Sequence, residues 1–176
     1  MELGICFIPT RFGFALLGWR ESLTHFVLPQ RTKEEALRHL ARYGVTLKSL
    51  TTGTPPFPEV TSRVQAYFEG QRVSFPYPFD LGHLSPFTRR VLEAVASIPY
   101  GTLVTYRDLA ETIALPRATR AVGRAVGKNP LPLFIPCHRV VGKSSPGGFS
   151  GYGLRYKILL LSLELLGSNP DRNSPF

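Results

Sequence analysis

The sequence predicts an α+β protein of two parts, a small α/β domain over residues 1–80 and a mainly helical domain over residues 81–170, with a tail over 171–176. Short runs of aromatic and branched residues near the start indicate strands, and helical spacing of apolar residues follows residue 85. The stretch 71–83 is interrupted by proline and glycine and is interpreted as a linker.

Three runs in the first part have the composition of strands. They lie at residues 3–8, 12–19 and 23–28. The short connections between them predict a three-stranded meander. Thr32 precedes Glu35 by three residues, which is the pattern of a capping box, and predicts a helix that ends near Gly44. A second helix is predicted over residues 59–69.

The second part begins with a helix signal, because Ser85 is a suitable N-cap and Pro86 suits the first helical position. Apolar residues then recur at helical spacing, at Phe87, Val91, Leu92 and Val95. Two further helices are predicted over residues 106–113 and 117–127. Two short helices joined by a tight turn, the second of them basic, form a helix-turn-helix pattern.

The formal charge of +9 is distributed unevenly, with a net of +2 over residues 1–80 and +7 over residues 81–176. Such asymmetry favours a polyanionic partner such as nucleic acid, although solubility or a membrane surface would also account for it. One arc of the third helix of this part is basic, with Arg117, Arg120, Arg124 and Lys128. The small residues Ala121 and Gly123 would let its backbone approach a partner closely; a solvated basic face is the alternative.

Residues 133–135 are predicted to form a short buried strand that leads into Cys137 and His138. A thiolate is a suitable nucleophile for displacement at a saturated carbon, and an imidazole can take the thiol proton. Because adjacent side chains of an extended segment point apart, a bridging water is expected between the two. The alternative is an inert buried cysteine beside a surface histidine.

Glu164 lies in an apolar helical stretch, residues 158–166, which predicts a buried helix. A buried carboxylate requires a partner, and His138 or Arg139 could supply it. A relay from cysteine through water to histidine and glutamate would orient the imidazole. An acid on the exposed edge of the helix is the alternative.

The sequence gives no indication of a metal, a cofactor or a membrane partner. Cys6 and Cys137 are far apart and form no paired cluster, and the other histidines lack ligand spacing: His25, His39 and His83. The apolar stretch 158–166 is much shorter than the roughly 20 residues of a membrane helix. Residues 1–10 lack the features of a secretory signal, so we expect a cytoplasmic protein, or a nuclear one in a eukaryote.

These residues resemble the O6-alkylguanine-DNA alkyltransferases, also called methylated-DNA–protein-cysteine methyltransferases. The resemblance covers about residues 85–166. Its centre, Ile135-Pro136-Cys137-His138-Arg139-Val140, is identical to the active-site signature of the family. The first part is similar only in architecture. The resemblance therefore implies a small ribonuclease-H-like α/β domain, followed by a winged-helix-like domain with a helix-turn-helix.

The resemblance implies a DNA-repair protein that flips O6-alkylguanine, and also O4-methylthymine, out of double-stranded DNA. It implies irreversible, stoichiometric transfer of the alkyl group to Cys137 by a monomer that needs no cofactor. His138 would be the base acting through water, Glu164 its orienting carboxylate, and Asn129 the brace of the turns around the site.

DNA contacts are implied for the basic helix and the residue that begins the helix before it. Tyr106 would press on the 3′ phosphate of the target and Arg120 would fill the gap in the base stack, with the helix in the minor groove. The other DNA-binding residues of this set are Ala121, Gly123, Arg124 and Lys128.

The base pocket implied by the resemblance includes Tyr106 and backbone groups of Val140, Ser150 and Gly151, with Pro132 as an apolar wall. Phe149 stands where the family usually has a tyrosine, and Tyr152 is the candidate to replace the missing hydroxyl.

The main alternative is a non-catalytic alkyltransferase-like protein that binds alkylated DNA and signals to other repair systems. Such proteins lack the cysteine, so Cys137 argues against it. A helix-turn-helix regulator would leave the six-residue signature unexplained. A cysteine hydrolase would require a distant histidine and an oxyanion motif that the sequence lacks.

Overall fold

The computed structural model describes residues 2–166, and the chain divides into two compact units with the boundary after Leu81. The first unit is built on a four-stranded sheet. Its elements are β1 (Leu3–Thr10), β2 (Gly13–Trp19), β3 (Leu23–Gln30), α1 (Lys33–Ala41), β4 (Leu50–Thr52) and α2 (Val60–Phe68). The strand order is β3-β2-β1-β4, with β1, β2 and β3 antiparallel and β4 parallel to β1.

The predicted three-stranded meander is confirmed by the antiparallel pairs β1–β2 and β2–β3, and β4 adds a fourth strand that was not predicted. This strand has only three residues, all at least partly exposed, so it lacks an apolar run that a sequence pattern could detect. Both predicted helices are present. The Thr32 side chain accepts a hydrogen bond from the backbone N–H of Glu35 at the start of α1, and Gly70, with φ of 80°, follows α2.

Part of the predicted linker belongs to the first unit. The backbone N–H of Leu23 donates to the carbonyl oxygen of Pro78 at 2.9 Å, and the N–H of Asp80 donates to the carbonyl oxygen of Leu23 at 2.8 Å. Leu81 is buried. Residues 78–80 therefore extend along the start of β3, because their backbone groups find partners there.

The second unit is mainly helical. Its elements are α3 (Pro86–Ala96), β5 (Val104–Thr105), α4 (Tyr106–Thr112), α5 (Thr119–Val126), β6 (Val140–Val141) and α6 (Leu154–Leu166). Helices α3, α4 and α5 pack against one another, and the two short strands pair in parallel, Val104 opposite Val140. The Ser85 side chain accepts a hydrogen bond from the backbone N–H of Thr88, as its position as N-cap predicts.

The basic helix is shorter than predicted. Residues Pro116–Ala118 form a 3-10 turn, so Arg117 precedes α5 and Lys128 follows it. Only Arg120 and Arg124 of the predicted basic arc lie on the helix. The turn begins after Leu115, whose φ of −131° and ψ of 58° are not helical, and the α-helix starts only at Thr119.

The predicted strand at 133–135 is wrong. Leu133 has φ of 81°, a turn conformation, and Pro132 and Ile135 form an isolated bridge around it. The side chain of Asn129 shapes this turn: its Oδ1 accepts from the backbone N–H of Leu131 at 2.9 Å and its Nδ2 donates to the carbonyl oxygen of Ile135 at 2.8 Å. A local side-chain bond of this kind competes with strand pairing.

Helix α6 is buried on one side only, contrary to the prediction of burial all round. Leu160 and Leu163 are fully buried, whereas Ile158 and Leu165 are about half exposed. Within residues 2–166, no helix has the length and apolarity required to cross a membrane. The predicted tail, 171–176, lies outside the described residues.

Candidate active site

Cys137 begins a three-residue 3-10 turn, Cys137–Arg139, within a buried segment of the second unit. The prediction of an extended segment around Cys137 and His138 is therefore wrong. Burial raises the pKa of the Cys137 thiol to about 11, although a hydrogen bond with Asn129 and the charge of Lys157 oppose the increase. The thiol is therefore protonated at neutral pH and needs a base to become a nucleophile.

The turn places His138 against Glu164 of α6. The His138 Nε2 lies 2.5 Å from Glu164 Oε1, and both side chains are almost wholly inaccessible to solvent. Burial lowers the pKa of His138, and the hydrogen bond to Glu164 offsets this only in part. The imidazole is accordingly neutral at pH 7, with one ring nitrogen committed to the carboxylate and Nδ1 on the other side of the ring.

Glu164 binds both of the partners considered for it. Arg139 donates from Nε to Oε2 at 2.9 Å and from Nη2 to Oε1 at 3.0 Å, and the backbone N–H of Gly101 donates to Oε2 at 3.0 Å. Burial opposes ionisation, but the bonds from His138 and Arg139 outweigh it and hold the pKa of the carboxyl far below its usual range. The alternative of an acid on the exposed edge of α6 is excluded, since Glu164 is buried.

Lys157 is a functional candidate that the sequence analysis missed. It is fully buried, and its Nζ donates to the carbonyl oxygens of Val140 at 2.6 Å and Gly148 at 3.1 Å. Burial lowers the pKa of this amine, while the proximity of Cys137 raises it. A lysine before an apolar helical run is usually solvated at its tip, so no sequence signal separates this one from a surface residue.

Tyr106 lies between the basic helix and the loop over residues 142–153. A Cβ on Gly147, whose φ is 75°, would lie 2.9 Å from the Tyr106 ring, and one on Gly123 would lie 3.7 Å from it. The Lys157 Nζ lies 5.7 Å from the centroid of the same ring. Glycine at position 147 therefore permits a close approach between the loop and Tyr106.

Three of the remaining predicted pocket residues, Phe149, Ser150 and Gly151, lie on this loop. Ser150 approaches the end of the basic helix, since a Cβ on Gly127 would lie 2.8 Å from its Oγ. Phe149 packs against Tyr152, with ring centroids 5.6 Å apart. Gly151 is exposed, whereas Pro132 is buried and Val140 is buried in β6 with its carbonyl oxygen bonded to Lys157.

Three of the predicted DNA-binding residues lie on the exposed side of α5 and its continuation. Arg120, Arg124 and Lys128 are exposed, and the opposite side of the helix is buried through Val122, Ala125 and Val126. Ala121 and Gly123 are intermediate in exposure. Within the part of the chain that is described, no group of three or more His, Cys, Asp or Glu side chains could hold a metal ion.

These features define a two-unit α+β protein with a buried Cys-His-Glu site on the same helical unit as a basic helix. A family model described as 6-O-methylguanine DNA methyltransferase, DNA binding domain, matches residues 86–166. The methylated-DNA–protein-cysteine methyltransferase of Archaeoglobus fulgidus is 47% identical over 111 residues, covering 61% of this chain and 74% of that protein. The chain belongs to the methylated-DNA–protein-cysteine methyltransferase family.

Solved structures extend the similarity to both units. The structure of Mycobacterium tuberculosis OGT in complex with DNA has a TM-score of 0.76 and 31% identity, and the match covers 93% of each chain. The O6-methylguanine-DNA methyltransferase of the hyperthermophilic archaeon Pyrococcus kodakaraensis has a TM-score of 0.67 and 25% identity, with 93% of this chain and 99% of that chain covered.

Proposed function

We propose that this protein repairs DNA by transferring the alkyl group of O6-alkylguanine, and of O4-methylthymine, irreversibly to Cys137. The observation that carries the proposal is the position of the buried Cys137 thiol in the same turn as His138, whose imidazole is held by Glu164. Family membership supports the same reaction. Each molecule would repair one lesion, because the thiol is consumed.

The reaction uses His138 as the base. The neutral imidazole takes the Cys137 proton, acting through water, and Glu164 stabilises the charge that the ring acquires. The thiolate forms a bond to the alkyl carbon while the bond from that carbon to guanine O6 breaks. The departing guanine takes up the proton that left the thiol. The products are a thioether on Cys137 and neutral guanine, and the thioether has no easy route back.

The target base must leave the double helix before the thiol can reach it, at a cost of a few kcal/mol for unstacking. The exposed residues Arg120, Arg124 and Lys128 would bind the phosphate backbone of DNA through their positive charge. Arg120 would also occupy the space left by the flipped base. Ala121 and Gly123 keep the helix thin enough for the minor groove. Tyr106 would press on the 3′ phosphate.

The flipped base would be held by the loop beside Tyr106. Backbone groups of Val140, Ser150 and Gly151 would read its edge, and Phe149 and Pro132 would supply apolar contact. The bonds of Asn129 and Lys157 support this arrangement, because they hold the turn and the loop around Cys137.

We further propose a ribonuclease-H-like domain over residues 1–80 and a winged-helix-like domain over residues 81–170, in a monomer that acts in the cytoplasm or, in a eukaryote, the nucleus. The parallel pairing of β4 with β1 at the edge of an antiparallel sheet supports the first assignment. The two short helices α4 and α5 support the second.

Mass spectrometry of three proteins tests the proposed transfer. Wild type, Cys137→Ser and Cys6→Ser are incubated with a duplex that contains one O6-methylguanine. We expect one methyl group on wild type and on Cys6→Ser, and none on Cys137→Ser, which should still bind the duplex. Cys6 is a matched control because burial also raises the pKa of its thiol to about 11. A methylated Cys137→Ser protein would refute the assignment of the acceptor.

A further inference from the structure

Arg139 is a buried cation that the reaction described above does not use. Its guanidinium donates two parallel hydrogen bonds to the Glu164 carboxylate, at 2.9 Å and 3.0 Å. Its Nη1 donates a third hydrogen bond to the carbonyl oxygen of Ile98 at 2.6 Å. The side chain is about 10% exposed. Burying a guanidinium costs free energy unless its N–H donors are hydrogen-bonded. In Arg139, Nε and Nη2 bind the Glu164 carboxylate, so the arginine holds that carboxylate in place.

One oxygen of Glu164 serves both neighbours. Oε1 accepts from Arg139 Nη2 and faces His138 Nε2, whereas Oε2 accepts from Arg139 Nε and from the backbone of Gly101. The carboxylate that orients the imidazole is therefore itself oriented by arginine, and part of its negative charge is already compensated.

We propose that Arg139 is a positioning residue of the transfer reaction: by binding both oxygens of Glu164, it holds the carboxylate and determines how readily His138 takes and releases the thiol proton. This inference rests on the proposed function for the reaction, and on the geometry of the three side chains for the mechanism.

The charges around His138 indicate whether the loss of Arg139 favours or disfavours protonation of the imidazole. Glu164 of α6 favours the protonated ring, whereas Lys157 of α6 and Arg139 of the same turn disfavour it. Cys137 precedes His138 in that turn, and the Tyr100 ring, after α3, faces the Arg139 guanidinium at 5.5 Å. Without Arg139, the His138–Glu164 pair has one compensating positive charge fewer and holds a shared proton to higher pH.

A purely structural role makes a different prediction. The bond from Arg139 to Ile98 joins the turn to the residues after α3, and its loss alone would lower stability without changing the titration of His138. The titration of the imidazole therefore separates the two roles.

The first measurement is an NMR titration of the histidine side chains in the chain of residues 1–176, from about pH 4 to about pH 9. Wild type, Arg139→Gln and the double variant Arg139→Gln/Glu164→Gln are compared, with His83, at an exposed position, as the internal reference. We expect Arg139→Gln to raise the midpoint of His138 by about one pH unit or more, and the double variant to lower it again. A His138 midpoint that is unchanged in Arg139→Gln overturns the proposal.

The second measurement is the single-turnover rate of methyl transfer over the same pH range. In Arg139→Gln, the decrease of the rate in acidic solution should begin at a higher pH than in wild type. In the double variant, this decrease should shift back to lower pH. If wild type transfers no methyl group, the proposed function fails, while the NMR titration still decides the role of Arg139.

If circular dichroism shows that Arg139→Gln is unfolded, Arg139→Lys replaces it. Lysine keeps the charge but loses the two-pronged bond, so we expect transfer slower by about tenfold with the His138 midpoint close to that of wild type. A folded Arg139→Lys protein with the wild-type rate contradicts the proposal.

Discussion

The Nε2 atom of His138 lies 2.5 Å from the Oε1 atom of Glu164, in a contact between a 3-10 turn and the last helix of the described chain. The contact fixes the Nε2 edge of an imidazole that is fully buried and whose pKa burial has lowered. A neutral base thus lies next in sequence to a thiol whose pKa is about 11.

The pH dependence of transfer follows from this pair. A base with a lowered pKa stays unprotonated below 6.5, the ordinary histidine value, so the rate should hold through neutral pH and decrease only in more acidic solution. Single-turnover rates across pH measure this, with His83→Gln, at an exposed position, as the control. A rate that climbs about tenfold per pH unit from neutral pH upward would show instead that the thiol ionises without a base.

Gly147→Ala should strongly impair transfer. The new methyl group would meet the Tyr106 ring at 2.9 Å, and the backbone φ of 75° is unfavourable for alanine. We expect a rate loss of about tenfold or more, measured with the lesion duplex, because the loop must move away from Tyr106. Gly148→Ala is the matched control, since a Cβ there meets nothing within 4 Å. Equal rates for the two variants would contradict the fit between loop and ring.

Arg120→Ala should slow repair of duplex DNA far more than reaction with the free base O6-methylguanine. Without this side chain, the cost of extruding the base is no longer offset, which corresponds to about tenfold or more in rate. Arg117→Ala removes an equally charged and exposed residue from the 3-10 turn outside α5 and should have a much smaller effect. If both substitutions reduced both reactions alike, Arg120 would have no role in base extrusion.

Lys157→Met should raise the pKa of Cys137 further and loosen the loop. The substitution removes a positive charge that favours the thiolate, together with the bonds to the carbonyl oxygens of Val140 and Gly148. The rate of thiol alkylation by iodoacetamide against pH reports the first effect, and the rate of methyl transfer reports both. Lys143→Met, at an exposed position, is the control. An unchanged alkylation profile would exclude the electrostatic role.

Local signals in the sequence were sufficient for most elements of the fold. The caps at Thr32 and Ser85 and the three long strands depend on residues close together in the chain, so their patterns predict them. The edge strand β4 could not be predicted in this way, because its pairing with β1 joins residues nearly fifty positions apart and its own residues are mostly exposed.

The site residues that could be predicted are those whose side-chain chemistry is unusual for their place in the sequence. Cys137, His138 and Glu164 stood out as a nucleophile, a base and an acid that requires a partner in an apolar stretch, and the structure brings the last two into contact. Arg139 was one of the two partners expected for Glu164, but its bonds to both carboxylate oxygens were not predicted. Those bonds, like the burial of Lys157, depend on tertiary packing, which buries long cationic side chains that are normally solvated. The turn at Leu133 was missed because the bonds of Asn129 override an apolar run.

Stoichiometry tests the central claim most directly. The protein is mixed with an excess of O6-methylguanine duplex, and the methyl groups lost from DNA are counted against the thioether on the peptide that contains Cys137. Consumption of the Cys137 thiol predicts that repair stops at one methyl group per molecule, all of it on that sulfur. Repair that continues past one equivalent, or a methyl group on another residue, would contradict the account.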